Sequence, residues 1–203
     1  MEKLKEIYIS GTTEYAGNII AVTKAIVRLP DESVGFREIA HVRDAVCIVA
    51  LKGDKVMMVH QFRFAVGEEL LELPAGRIDE GETPDQAAQR ELREEIGYRG
   101  KLVSLGSYYS SAGFTSEKIH MYLATELVQD PLELDEGEFI QVEEIKWQEA
   151  LSRALSGGFE SHTTLGILLA WRSPLRFGKP IQSEDMYIKK PVSQVWEKVK
   201  EAK

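Results

Sequence analysis

Residues Gly76–Tyr98 read GRIDEGETPDQAAQRELREEIGY, and the change from a glycine-punctuated loop to a helix within this stretch decides the fold. Thr83-Pro84 supplies a capping hydroxyl followed by a residue whose fixed φ suits the first helical turn, and Gly97 stops a helix that runs to about Ile96. At about 100° per residue, Glu91, Glu94 and Glu95 fall within an arc of about 100°. They share that side with Ala87, Ala88 and Leu92, while Gln86, Gln89, Arg90 and Arg93 take the opposite side. An acidic run on a helix is ordinarily a solvated face. Here the apolar neighbours turn it towards the protein body. Clustered carboxylates repel one another and lose hydration there, and no run of Lys or Arg on that face offsets the cost. A divalent cation would, and an oxygen-rich set suits Mg²⁺ or Mn²⁺. His41, His60, His120 and His162 are scattered without metal-ligand spacing, which disfavours zinc.

Upstream of this segment the chain reads as strands. Asn18–Leu29 and Gly35–Val42 flank Pro30-Asp31-Glu32, and Ala45–Leu51 and Lys55–Phe62 flank Lys52-Gly53-Asp54, which predicts two hairpins. Leu70–Pro74 is a short apolar strand leading into the loop of Ala75–Glu82. Downstream, Leu102–Tyr109, Lys118–Glu126 and Glu143–Trp147 read as strands, with the loop Ser110–Ser116 between the first two. Trp147–Ser156 and Thr163–Trp171 have helical spacing of apolar residues and are separated by Gly157-Gly158. The order implies an α/β protein with a mixed sheet flanked by helices. The stretch from Ser173 is irregular up to a short helix expected at Val192–Lys203.

The chain has 203 residues, 43% hydrophobic and 29% charged, a size for one buried domain with an appended arm or tail. Its formal charge of −8 argues against a nucleic-acid partner, because phosphate-backbone affinity rests on clustered Lys and Arg. A small anionic ligand needs only a few local cations and a metal. No apolar run approaches the roughly 18 residues of a bilayer span, and MEKLKEIYIS lacks the apolar centre of a signal peptide, so a cytoplasmic protein without a membrane partner is expected. Cys47 lies within the apolar run Ala45–Leu51 and reads as a buried thiol without a chemical role.

The spacing Gly76, five residues, Glu82, seven residues, Arg90-Glu91-Leu92, one residue, Glu94-Glu95, one residue, Gly97 resembles the Nudix box. Tyr98 stands where that box has an aliphatic residue. The resemblance implies a Nudix α/β/α sandwich with a mixed β-sheet, preceded by an N-terminal β-strand arm. It also implies a metal held by the Ala75 carbonyl, Glu91 and Glu95, with Glu94 assisting and Arg90 orienting a glutamate by charge-assisted hydrogen bonds. Glu82 would support the loop.

The likeness extends to the ADP-ribose pyrophosphatase branch over about residues 6–172. It is carried by Tyr15-Ala16-Gly17-Asn18-Ile19-Ile20, Leu29-Pro30-Asp31, Arg37-Glu38 with His41, Gln61-Phe62-Arg63 and Glu72-Leu73-Pro74-Ala75-Gly76. It implies an arm at residues 1–43 engaged in a homodimer, a catalytic domain at 44–172, and a tail at 173–203 to which no role is assigned. The implied substrate is a nucleoside diphosphate linked to a second group, foremost ADP-ribose, cleaved by water to AMP and ribose 5-phosphate. Arg63 would contact the diphosphate, Arg37 would lie near the adenine, and Gly113 would meet the substrate from the loop Ser110–Glu117. That loop has Ala112 where the branch usually has proline, which leaves other nucleotide sugars such as GDP-mannose open. In Asp135-Glu136-Gly137-Glu138 the resemblance makes Glu136 the general base and Glu138 a metal ligand, with the two roles exchangeable. The competing reading is a Nudix-fold sensor that binds a nucleotide sugar without cutting it. Retention of Glu82, Glu91, Glu94 and Glu95 favours the hydrolase over the sensor.

Overall fold

The computed structural model describes residues 2–173, and its strands sort into two sheets. The expected helix at Val192–Lys203 lies outside the described residues. After a short 3-10 turn at Glu2–Leu4, β1 (Ile7–Ala16), β2 (Ile20–Arg28) and β3 (Val34–Val42) form an antiparallel sheet in chain order. All ten residues of β1 are exposed. That exposure explains why sequence periodicity gave no strand before residue 18: IYISGTTEYA has no buried face to pattern, and the strand is held by its backbone pairing with β2.

The second sheet comprises β4 (Ala45–Lys52), β5 (Lys55–Arg63), β6 (Glu68–Glu72), β7 (Ala75–Arg77), β8 (Tyr98–Tyr109), β9 (Lys118–Gln129) and β10 (Ile140–Lys146). The order is β10-β5-β4-β9-β8, with β6 added to β5 and β7 to β4. Only β4 and β9 run parallel, so the sheet is mixed. The apolar run of β4 reflects its central position, covered on both faces. Cys47, Val49 and Leu51 enter one core, while Val46, Ile48 and Ala50 enter the other.

On the first face lie α2 (Trp147–Ser156) and α3 (Ser161–Arg172), which bring Trp147, Ala150, Ile167 and Ala170 against Met58, Met121 and Leu123. On the second lies α1 (Pro84–Glu95), whose Ala87, Ala88 and Leu92 pack on Met57, Val59 and Ala124. The result is an α/β/α sandwich. None of these helices is long and apolar enough to cross a membrane.

Several boundaries differ from those expected from the sequence: β6 is Glu68–Glu72 rather than Leu70–Pro74, and β10 begins at Ile140 rather than Glu143. β8 begins at Tyr98 rather than Leu102 and includes Gly100, where a Cβ would stand 2.7 Å from a Leu127 methyl. The supposed loop at Ala75 contains the three-residue β7, paired with Ala45, Val46 and Cys47. That pairing lays the loop segment against α1.

Leu92 is fully buried between α1 and the sheet. Leu92→Ala is expected to lower unfolding free energy by about 2–5 kcal/mol, through lost burial plus the cavity left behind. A urea denaturation curve with an unchanged midpoint would contradict the packing described.

Candidate functional site

The site begins with how β7 faces. Ile48 N–H donates to the Pro74 carbonyl at 2.8 Å and Ile78 N–H to the Asp44 carbonyl at 2.9 Å, which turns Pro74 and Ile78 towards β4. Antiparallel alternation then turns the polar groups of Ala75 and Arg77 the other way, towards α1. Ala75 N–H accordingly donates to Glu95 Oε2 at 2.9 Å, and the Arg77 carbonyl accepts from Arg90 Nη2 at 2.9 Å. The Ala75 carbonyl leaves the same edge of the strand as its N–H.

α1 is fixed at its start by a reciprocal cap in which Thr83 Oγ1 accepts from Gln86 N–H and the Gln86 side chain accepts from Thr83 N–H. One turn further on, Arg90 is the hub. Its Nε donates to Glu82 Oε1 at 3.1 Å and Nη2 to Glu82 Oε2 at 3.0 Å. Nη1 donates to Glu91 Oε1 at 2.7 Å and to Glu94 Oε2 at 2.8 Å. With the bond to Arg77, every donor of the guanidinium is used. The helix wheel alone sets Arg90 on the side away from the glutamates, whereas the Nudix resemblance implies that it orients one of them. The structure corrects the wheel placement: the long side chain folds back over its own helix to bond Glu91 and Glu94, which a helix wheel cannot register. Glu82 in turn accepts from Asp79 N–H at 3.1 Å, so the loop hangs from the same group.

Glu91 and Glu95 are only 7% and 6% exposed. Burial drives the Glu91 carboxyl up to about 7, against the opposing pull of Arg90. Burial also raises Glu95 well above the usual carboxylate range, with Glu91 adding to the effect and Ala75 N–H opposing it. Glu82 is lowered by its bonds to Arg90. Gly76 is required at this point, because a Cβ there would stand 1.9 Å from Glu91 Oε1. Glu95 has no cationic hydrogen-bond partner among the described residues. Ionising the pair is therefore costly without a further cation, since of the two Arg90 bonds Glu91 alone and Glu95 has the Ala75 N–H as its donor. That chemistry fits a hard divalent ion. Among the described residues no group of three His, Cys, Asp or Glu side chains is arranged to hold a metal ion by itself.

Arg63, at the end of β5, donates from Nε to Glu72 Oε2 at 2.7 Å, and its charge reaches both Glu95 and Glu138. Glu138 is raised by burial of its carboxyl, then by Asp135 and Glu94, with Arg63 and Arg90 opposing. Glu136 is exposed and makes no hydrogen bond to this cluster. Arg37 is engaged elsewhere, its Nε donating to Glu6 Oε2 at 2.9 Å and Nη1 to the Phe36 carbonyl at 2.8 Å. Gly113 is exposed with nothing within 4 Å of an added Cβ. Its loop is tied to β3 by Ala40 N–H donating to the Phe114 carbonyl at 2.8 Å. Within one chain, then, Ala75, Arg90, Glu91, Glu94 and Glu95 come together with Arg63 and Glu138 close by, while Arg37, Gly113 and Glu136 make no bond to them.

The histidines have other partners: His41 meets Thr23, His60 lies between Glu69 and Glu143, and His120 lies between Ser107 and Asp44. Cys47 is a buried thiol pushed up to about 12 by desolvation. Sequence reasoning missed Glu72 and the Arg77 carbonyl. The first gave no signal, since its pairing depends on strand register; the second is backbone.

The NUDIX domain model matches residues 41–164. The ADP-ribose pyrophosphatase of Bacillus subtilis (strain 168) is 37% identical over 155 residues, covering 74% of this chain and 84% of that protein. The methanol dehydrogenase activator of Bacillus methanolicus is 36% identical over 141 residues, covering 68% and 76%. Among solved structures, one described as an ADP compounds hydrolase superposes with a TM-score of 0.76 at 22% identity, over 85% of this chain and 95% of its own, a likeness of fold.

Removing the hub should be costly. Arg90→Met strands Glu82, Glu91 and Glu94 without their cation and is expected to destabilise the fold by about 3–5 kcal/mol. Arg90→Lys should recover only part of this, because an ammonium cannot serve the acceptors that a planar guanidinium reaches. Thermal unfolding of both variants checks the order; equal stability of Lys and wild type would contradict it.

Proposed function

The chain belongs to the NUDIX domain family, and from that premise we propose that it is a divalent-metal-dependent hydrolase of nucleoside diphosphate derivatives, with ADP-ribose as substrate. The observation that carries the reading is the buried, incompletely neutralised pair Glu91 and Glu95 beside the Gly76 turn and the Ala75 edge. Kinship with the Bacillus subtilis ADP-ribose pyrophosphatase over 84% of its length supports the substrate.

In this reading the Ala75 carbonyl, Glu91 and Glu95 would hold Mg²⁺ or Mn²⁺, which supplies charge neutralisation at the diphosphate and lowers the pKa of a water. Arg63 binds the diphosphate oxygens. Arg90 keeps Glu91 and Glu94 aimed, and its saturated donors leave it no role as a phosphate ligand. Of the two loop carboxylates, Glu138 is taken as the proton acceptor, since burial, Asp135 and Glu94 raise its proton affinity against the opposing Arg63 and Arg90. The exchange of roles with Glu136 left open by the sequence is taken in that direction. Water oxygen bonds to one phosphorus, the bridging P–O bond breaks, and the water proton passes to Glu138. The products are AMP and ribose 5-phosphate.

We further propose a homodimer. The three-stranded sheet exposes Ile7, Tyr8, Ile9, Tyr15 and Phe36, with Ile19 exposed in the β1–β2 turn, apolar side chains that a second copy would cover. Arg37 and Gly113 would then reach substrate across that interface.

Incubation with ADP-ribose, GDP-mannose and dNTPs in Mg²⁺ or Mn²⁺, with products identified by mass, tests the activity. ADP-ribose should yield AMP and ribose 5-phosphate, and Glu95→Gln should lose at least about 100-fold in turnover. Preference for a triphosphate would overturn the substrate class; failure on every diphosphate would sink the enzyme reading.

The raised Glu91 makes a second test. Its folded value of about 7 exceeds its ordinary 4.5, so without a cation the fold loses stability as pH rises through that window. Mg²⁺ favours the ionised form, so the rise in Tm on adding Mg²⁺ should be larger at pH 8 than at pH 6 in a thermal-shift assay. An equal or smaller rise at pH 8 would argue against a cation at Glu91.

A further inference from the structure

β5 and β6 pair with Val59 opposite Glu72 and Arg63 opposite Glu68. Met57 and Val59 pack towards α1, and strand alternation sends Arg63 out on that same face. Glu72, opposite Val59, shares it. There its side chain is 17% exposed, and Oε2 accepts from Arg63 Nε at 2.7 Å. Among the described residues the two terminal amino groups of Arg63 have no hydrogen-bond partner, in contrast to the saturated Arg90.

Three carboxylates compete for the Arg63 charge: Glu72 by direct bond, Glu95 and Glu138 through space. Glu72 wins because it stands on a rigid tether. It is followed by the fully buried Leu73, whose N–H donates to Thr163 Oγ1 at 3.2 Å, then Pro74, then Ala75 at the carboxylate cluster. A guanidinium held at Nε presents its amino fork, the edge suited to two oxygens of an oxyanion. Without that hold, the same charge would turn towards Glu95 and Glu138.

We propose that Glu72 is a positioning residue: it grips Arg63 at Nε, aims the amino fork at the substrate diphosphate and keeps the guanidinium off Glu95 and Glu138. This rests on Arg63 being the diphosphate contact in the function proposed above. It also couples diphosphate binding to the carboxylate cluster, since Glu72 and Ala75 belong to one short, packed segment.

The test is steady-state kinetics with ADP-ribose, alongside calorimetric titration with ADP, on wild type, Glu72→Ala, Glu72→Gln, Arg63→Ala and the double variants. Glu72→Ala should raise KM and the Kd for ADP by about tenfold, with kcat within about threefold. Glu72→Gln, whose amide oxygen still accepts from Nε, should recover most of that loss. In the Arg63→Ala background neither Glu72 substitution should change KM or Kd by more than about twofold. Equal losses in both backgrounds, or a fall in kcat with KM and Kd unchanged, would overturn the proposal. If Glu72→Ala does not fold, Glu72→Gln in the two backgrounds decides by the same comparison at smaller amplitude. A wild type that neither cleaves ADP-ribose nor binds ADP sinks the functional reading and this inference together. A wild type that does both while the variants behave additively sinks this inference alone.

Discussion

A single guanidinium beneath a loop must satisfy three carboxylates and a backbone carbonyl at once, and much of the site follows from that constraint. Arg90 bonds Glu82, Glu91, Glu94 and the Arg77 carbonyl. These partners come from the loop, from α1 itself and from β7, so three chain segments are locked to one planar group. Like charges on adjacent helical turns would otherwise push α1 towards solvent. Anchored in this way, the helix can bury Ala87, Ala88 and Leu92 against the sheet while carrying glutamates on the neighbouring arc. Gly76 belongs to the same constraint, because no side chain fits between β7 and the Glu91 carboxylate.

The neutralisation stops short of completion, and the shortfall is local. Glu95 is left with a backbone N–H as its hydrogen-bond donor, and burial raises both it and Glu91. A purely structural cluster of this size would gain from another cation or from fewer acids. Holding acids that are costly to ionise in a shielded place is the arrangement expected of a site whose charge is completed by a cation arriving with the ligand. Arg63 fits the same pattern from the other side, as a guanidinium held by one edge with its other edge unbonded among the described residues.

The three-stranded sheet obeys different rules. β1 is exposed throughout and holds to its neighbour by backbone pairing, and Ile7, Tyr8, Ile9 and Phe36 stand in solvent. The sheet is linked to the loop between β8 and β9 by the bond from Ala40 to Phe114 and the bridge to Thr115, which ties the arm to the Gly113 loop. Arg37 sits on β3 of this sheet, bonded to Glu6 and the Phe36 carbonyl and not to the Arg90 cluster.

The sequence by itself determined what depends on local spacing. The cap at Thr83, the helix to its end before Gly97, the inward arc of glutamates, the central apolar strand Ala45–Leu51 and the Gly76 turn all follow from periods and residue types that hold within a dozen positions. Tertiary structure alone decided where long side chains go and which strand edges face them. Arg90 swings back over its helix because acceptors from Glu82 and Arg77 converge there, and no helix wheel contains those groups. Arg63 finds Glu72 because β5 and β6 pair in one register, a shift of which by a single residue would send one of them to the opposite face. β1 escaped the reading because a strand with no buried face leaves no apolar pattern, and β7 because three residues are too few to show one.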